Sequence, residues 1–385
     1  MPRSFIREIL KVAAQPDIIS FAGGLPHPDL FPVQELKEAF NRLTKDRGAE
    51  PLQYGPSEGF GPLREWVCER YRNRSGMEVS PDHVLITTGS QQGLDLVGKV
   101  FLDSTDVAAM EKPGYLGAIQ AFSFYSKAVT QIPLQDDGPD MEVLESNLRE
   151  REVKVFYAIP NFQNPSGLSY NLEKRRGVAD LCQRYGTVLV EDDPYGELRF
   201  EGQDLPNISS FKEGNCILLG TLSKIAAPGL RVGWLVAKGD MLESLLVAKQ
   251  AADLHTSTLT QQLAWQYLVT NDIDGHIEVL REAYRRQRDC MMRMIRKYFP
   301  PGIDVTQPEG GMFLWVTLPD ECSSIDMFEK AIGKKVAYVP GTPFYVDGGG
   351  QNTMRLNFSN TSETDIEEGI RRLGACLEDH LRVKF

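Results

Sequence analysis

Several short apolar runs in this chain are each followed at once by polar groups capable of chemistry. After the run 84–86 stand Thr87, Thr88, Gly89, Ser90, Gln91, Gln92 and Gly93, small and polar residues at the start of a helical stretch. The run 107–110 leads to Lys112-Pro113-Gly114-Tyr115, and the run 153–159 leads to Pro160-Asn161-Phe162-Gln163-Asn164-Pro165-Ser166-Gly167. The run 188–190 leads to Glu191, Asp192, Asp193 and Tyr195, and the run 216–219 to Thr221, Ser223 and Lys224, with Arg231 further on. A helix start rich in small residues presents backbone N–H groups to an anion. A lysine whose charge is suppressed becomes a nucleophile and a base. A carboxylate can hold a basic nitrogen protonated, an aromatic ring can stack, and an amide or phenol can donate to an oxyanion. One ligand that uses all of these is pyridoxal phosphate: a phosphate, a flat ring, a ring nitrogen, a phenolic oxygen and an aldehyde.

The elements that must position these groups follow from periodicity. Apolar runs of strand length alternate with helical segments from about residue 84 onward, the pattern of a mainly parallel buried sheet in an α/β architecture. In such sheets ligands bind outside the carboxyl ends of the strands, where the polar groups stand. The spacing predicts helices over 4–14, 34–46 and 59–75, strands over 84–86, 107–110, 153–159, 188–190, 216–219 and 232–237, and a long helical stretch over 240–298. Beyond it, strands at 312–317 and 354–358 with helices at 324–332 and 362–380 read as a smaller α+β domain. Prolines 16, 26, 28 and 32 keep the segment before residue 34 extended.

Composition narrows the class. The chain has 385 residues and a formal net charge of -11, too long for one core and too acidic for a nucleic-acid partner. The apolar fraction of 42% supports a folded globular protein rather than a disordered one. The six cysteines form no CxxC pair and no histidine pair has ligand spacing, so neither a metal site nor a disulfide framework is expected. Scattered thiols, no apolar leader and no long apolar run point to a cytoplasmic protein without a membrane partner.

Five motifs, in order, carry a resemblance: Phe21-Ala22-Gly23-Gly24-Leu25-Pro26, Gln53-Tyr54-Gly55-Pro56-Ser57-Glu58-Gly59, Asn164-Pro165-Ser166-Gly167, Ser223-Lys224 with Pro228-Gly229-Leu230-Arg231, and Arg355-Leu356. With them the chain resembles the fold-type I, class I and II aminotransferases, nearest the branch of 2-aminoadipate and kynurenine aminotransferases. The resemblance implies a three-layer αβα domain with a mainly parallel seven-stranded sheet. It further implies an N-terminal arm (1–45) that joins the small domain and covers the substrate, a large cofactor domain (46–285) and a small C-terminal domain (286–385).

It also implies roles. Lys224 would form the Schiff base with pyridoxal 5'-phosphate and serve as the base. Asp192, three residues before Tyr195, would pair with the ring nitrogen; composition alone leaves Asp193 open. Tyr195 and Asn164 would donate to the phenolic oxygen, and the bond before Pro165 would be cis. Ser90, Gln91, Thr221, Ser223 and Arg231 would hold the phosphate, Thr221 standing where the family usually has serine. Tyr115 would stack on the ring, Arg355 would clamp the substrate α-carboxylate, and Gly24 would leave room for substrate. Tyr54 would reach the other subunit's cofactor, making the active unit a homodimer. Arg7, if not a solvated helix-face arginine, would read a side-chain carboxylate. The implied reaction moves the amino group of an acidic, aromatic or branched aliphatic L-amino acid, such as 2-aminoadipate or glutamate, to a 2-oxo acid such as 2-oxoglutarate. The alternative is a lyase or decarboxylase reaction of the same cofactor. A DNA-binding regulator is not expected, because the stretch before Phe21 is short for a helix-turn-helix module.

Overall fold

A computed structural model describes residues 15–211 and 214–382. The expected first helix, with Arg7, lies outside the described residues.

Strand-length runs of β-branched and aromatic residues build the central sheet. Its order is Val84–Thr87, Gly233–Val236, Cys216–Thr221, Val188–Asp192, Val153–Ala158, Val107–Lys112, Ala128–Gln135, Gly138–Pro139. These are eight strands rather than seven, the addition being the two-residue return Gly138–Pro139, which pairs antiparallel with Ala128–Gln135. Neighbours from Cys216–Thr221 through Ala128–Gln135 are parallel, while Gly233–Val236 runs antiparallel to both of its neighbours. That reversal matters for the site. It brings the amino end of Gly233–Val236 to the edge where the other strands end, so Arg231 arrives beside Lys224 and Ser90.

The two-residue period of a strand sends alternate side chains to opposite faces. Val155 and Tyr157 accordingly join a core with Leu94, Val97 and Phe122. Phe156 and Ala158 join a second core with Leu144, Val178 and Cys182. The sheet is therefore covered on both faces, giving three layers. The strand Ala128–Gln135, next to the edge, has no apolar run to announce it. Only Ile132 in it is buried, yet it pairs with Val107–Lys112 along its length.

The long helical stretch divides into Asp240–Asp253, Thr258–Thr270 and Ile273–Tyr298. The first break falls at Leu254, whose φ of 65° is left-handed, and the last helix runs unbroken through residue 285. The small antiparallel sheet has the order Asp304–Val305, Phe313–Thr317, Thr353–Asn357, Val339–Pro340. Ile19–Ser20 pairs parallel with Val336–Ala337. Phe21 then donates its N–H to Ala337 O at 2.8 Å and accepts from the Asn357 N–H at 2.8 Å. The segment Phe21–Gly24 is thus stitched to the small sheet and delivered to the edge of the large one.

Where the strands converge, packing leaves no room for a β-carbon. One added at Gly233 would lie 2.8 Å from both Gly89 C and Ser90 N. Gly233→Ala should therefore destabilise the protein by about 1–3 kcal/mol, read from denaturant midpoints. Gly229→Ala, with nothing within 4 Å of the added carbon, should stay within about 0.5 kcal/mol of the parent. Equal midpoints for the two variants would contradict this packing.

Candidate active site

A cavity of about 400 Å³ opens at the strand edge, and Gly24, Ser90, Gln91, Tyr115, Asn164, Asp192, Tyr195, Thr221, Ser223, Lys224, Arg231 and Arg355 all line it. Tyr54 does not line this cavity. It is 80% exposed, and its ring meets that of His255 edge-on at 5.7 Å.

Asp192 ends the strand Val188–Asp192 and is buried. Its Oδ2 accepts from the Tyr157 hydroxyl at 2.7 Å, while its Oδ1 is buried with no partner among the described residues. Burial pushes the carboxyl up to about 7; Asp193 adds to this and the Tyr157 bond opposes it. Composition left Asp192 and Asp193 open, and geometry separates them. Asp193 is consumed locally, accepting from Asn161 Nδ2 at 2.8 Å and the Gly196 N–H at 3.0 Å.

Lys224 follows the strand Cys216–Thr221, and its Nζ donates to Gly24 O at 2.9 Å. Burial pulls the amine down to about 8, and the Arg355 and Arg231 cations act in the same direction. Arg355, on an inner strand of the small sheet, donates to Asn164 Oδ1 at 2.7 Å and to Ala22 O at 2.8 Å. Its guanidinium lies 4.4 Å from the centre of the Phe313 ring and 5.3 Å from that of Phe344, and its Nε has no partner among the described residues. Burial lowers it to about 10. Asn164 lies in a tight loop and is joined to Pro165 by a cis bond, and its Nδ2 donates to the Tyr195 hydroxyl at 3.4 Å. Tyr115 is pushed up to about 12, chiefly by burial.

At the far end, helix Ser90–Phe101 starts after Gly89, whose φ is 75° and which has no side chain to cap the helix. A β-carbon at Gly89 would sit 2.5 Å from Arg231 Nη2, so glycine here serves both the turn and the approach of the cation. Thr221 Oγ1 donates to Ser223 Oγ at 2.8 Å and accepts from the Ser223 N–H at 3.1 Å. These residues fit pyridoxal phosphate. Free first-turn amides and Arg231 suit the phosphate, and the orphaned Asp192 Oδ1 suits a ring N–H.

Sequence reasoning missed Tyr157 and Glu111. Glu111 is fully buried and accepts from the Ile159 N–H at 2.7 Å, Tyr170 Oη at 2.8 Å and Gln163 Nε2 at 3.3 Å. Gln163 Nε2 also donates to Pro113 O at 2.8 Å. The loops carrying Tyr115 and Asn164 are thereby tied together. A glutamate at the end of an apolar run was the available signal. Leu116, Gln120 and Phe344 also line the cavity, and nothing in their spacing marked them.

Residues 16–373 match the family aminotransferase class I and II. An aromatic-amino-acid aminotransferase of Thermococcus litoralis is 43% identical, over 99% of this chain and 93% of that protein. The structure superposes on a Pyrococcus horikoshii kynurenine aminotransferase, solved with PMP, with TM-score 0.95 at 44% identity, covering 99% of this chain and 96% of that one. It also superposes on a Thermus thermophilus alpha-aminoadipate aminotransferase complexed with N-(5'-phosphopyridoxyl)-L-leucine, with TM-score 0.92 at 41% identity, again over 99% and 96%. The chain belongs to the class I and II aminotransferases, pyridoxal-phosphate enzymes of fold type I.

Proposed function

We propose that this aminotransferase moves the amino group of a broad set of L-amino acids, acidic, aromatic and branched aliphatic, to a 2-oxo acid such as 2-oxoglutarate. The observation that carries the assignment of roles is the single cavity in which Lys224, the half-satisfied Asp192 and Arg355 meet. Bound there, pyridoxal phosphate supplies an aldehyde for the substrate amine and a cationic ring that draws electrons from Cα.

The chain's own residues do the rest. Asp192 offers its unpartnered oxygen to the ring nitrogen and keeps a proton there, while Tyr157 holds the other oxygen. Tyr195 and Asn164 donate to the phenolic oxygen. The amides of Ser90 and Gln91, the hydroxyls of Thr221 and Ser223, and Arg231 hold the phosphate, the Gly89 N–H being taken by Thr87 O at 2.8 Å; Tyr115 stacks on the ring. Arg355 takes the substrate α-carboxylate on its planar fork and so aims the Cα–H at Lys224. Lys224, its amine lowered to about 8, removes that proton as general base and delivers a proton to the cofactor's C4′ from the same side. The second half-reaction runs in reverse, giving ping-pong kinetics.

The exposed Tyr54 supports our reading that it completes the partner's site in a homodimer. No helix among the described residues is long and apolar enough to cross a membrane, and we place the protein in the cytoplasm. We keep the division into an arm (1–45), a cofactor domain (46–285) and a small domain (286–385), supported by the pairing of Ile19–Ser20 with the small domain's Val336–Ala337.

Lys224→Ala should lose the visible absorbance of the bound cofactor and cut amino transfer from glutamate by roughly 10³-fold or more. Turnover within a few-fold of the parent would overturn the assignment.

For the side-chain carboxylate, our reading gives Arg7 the role. Arg7→Ala should raise KM for 2-aminoadipate and glutamate by about tenfold or more relative to leucine, since a charge-assisted contact is worth roughly 1.5–3 kcal/mol. A panel of donors with 2-oxoglutarate checks this, and equal effects on all three would reject that role.

A further inference from the structure

Beyond the cavity, one buried cation has no part in the mechanism above. Lys249, on helix Asp240–Asp253, is 0% exposed. Its Nζ donates to Asp253 Oδ1 at 2.8 Å and to Gln92 Oε1 at 2.9 Å. Gln92 Nε2 in turn donates to Asp253 Oδ2 at 2.7 Å, closing a ring of three side chains. That ring grips a single residue, Thr88. The Thr88 N–H donates to Gln92 Oε1 at 2.8 Å, and its hydroxyl donates to Asp253 Oδ2 at 3.2 Å. The Thr88 carbonyl accepts from Arg231 Nη2 at 3.3 Å. Every polar group of Thr88 is therefore committed, and Thr88 immediately precedes Gly89 and the uncapped start of helix Ser90–Phe101.

Two physical consequences follow. Fixing Thr88 on three sides, with the Gly89 N–H donating to Thr87 O at 2.8 Å, presets the direction of the Ser90 and Gln91 amides before any anion arrives, so their ordering does not have to be met on binding. Asp253 would by itself place a negative charge beside an anion site, at the helix end where a carboxylate competes for the same field. Lys249 cancels that charge from a position that water does not reach.

We propose that Lys249, with Asp253 and Gln92, is a positioning device for the cofactor phosphate, presetting its amide cup and neutralising the carboxylate next to it. This rests on the reading of Ser90, Gln91 and Arg231 as the phosphate site. Lys249 touches neither substrate nor the reacting atoms, so its effect belongs to phosphate affinity rather than to the chemistry at Lys224.

The test uses cofactor-free full-length protein and two probes, pyridoxal phosphate and pyridoxal, which share the ring and aldehyde and differ in the phosphate. The dissociation constant of pyridoxal divided by that of pyridoxal phosphate, followed by visible absorbance, reports the phosphate contribution alone. Lys249→Met should lower that ratio by about ten- to hundredfold, because the Asp253 charge is then left uncancelled and Gln92 loses a partner, with pyridoxal affinity within about twofold of the parent. Gln92→Leu, which leaves the Lys249–Asp253 pair intact, should lower the ratio in the same direction and decides the matter if Lys249→Met does not fold. A ratio unchanged from the parent, whether both affinities hold or both fall together, overturns the proposal. If the parent itself shows no preference for pyridoxal phosphate over pyridoxal, the phosphate reading has failed, and this inference falls with it.

Discussion

Asp192 carries a carboxylate oxygen, Oδ1, into a buried place where no group among the described residues meets it. An unpaired buried polar group costs of the order of 1–3 kcal/mol, and more when charged. Burial responds by pushing the carboxyl up to about 7, which disfavours the charged form unless a cation meets it. A cationic ring nitrogen would satisfy the orphan atom and ionise the group together. Much of the surrounding structure serves that condition. Tyr157 occupies the other oxygen, Asn161 and Gly196 draw off the neighbouring Asp193, and the sheet encloses both.

The same logic governs the cations. The chain carries a net charge of -11, yet Lys224, Arg231 and Arg355 meet in one cavity. Their mutual repulsion, added to burial, lowers the Lys224 amine toward neutrality, which a lysine acting as base requires. The anions that would offset this cluster, a phosphate and a substrate carboxylate, are not part of the chain. The antiparallel course of Gly233–Val236 allows the cluster to form, because it returns Arg231 to the edge that Lys224 occupies.

The chemistry was more legible in the sequence than its support. Lys224, Asp192, Asn164 and Tyr115 stand directly after apolar runs, and strand ends are where an α/β sheet exposes its ligand groups. Arg355 was legible through its motif, but its bonds to Asn164 and Ala22 span most of the chain and leave no local trace. Tyr157 sits inside an apolar strand and reads there as an ordinary member; Glu111 stood out as a glutamate at the end of an apolar run, but its partners Ile159 and Tyr170 lie far off in sequence. The strand Ala128–Gln135 escaped periodicity because it lies near the sheet edge with one buried residue. The breaks at Leu254 and Asn271 escaped because neither Gly nor Pro marks them. An eighth strand of two residues, Gly138–Pro139, lies below what a pattern can show.

The protonation state of the bound cofactor's ring nitrogen tests the central claim most directly. With ¹⁵N-labelled cofactor, the ring nitrogen should show a pyridinium chemical shift throughout about pH 6 to 9, because an ionised carboxylate beside it favours the charged form. In Asp192→Asn the shift should move to that of a neutral pyridine. A neutral-pyridine shift in the parent protein, or a pyridinium shift that survives in Asp192→Asn, would contradict the account.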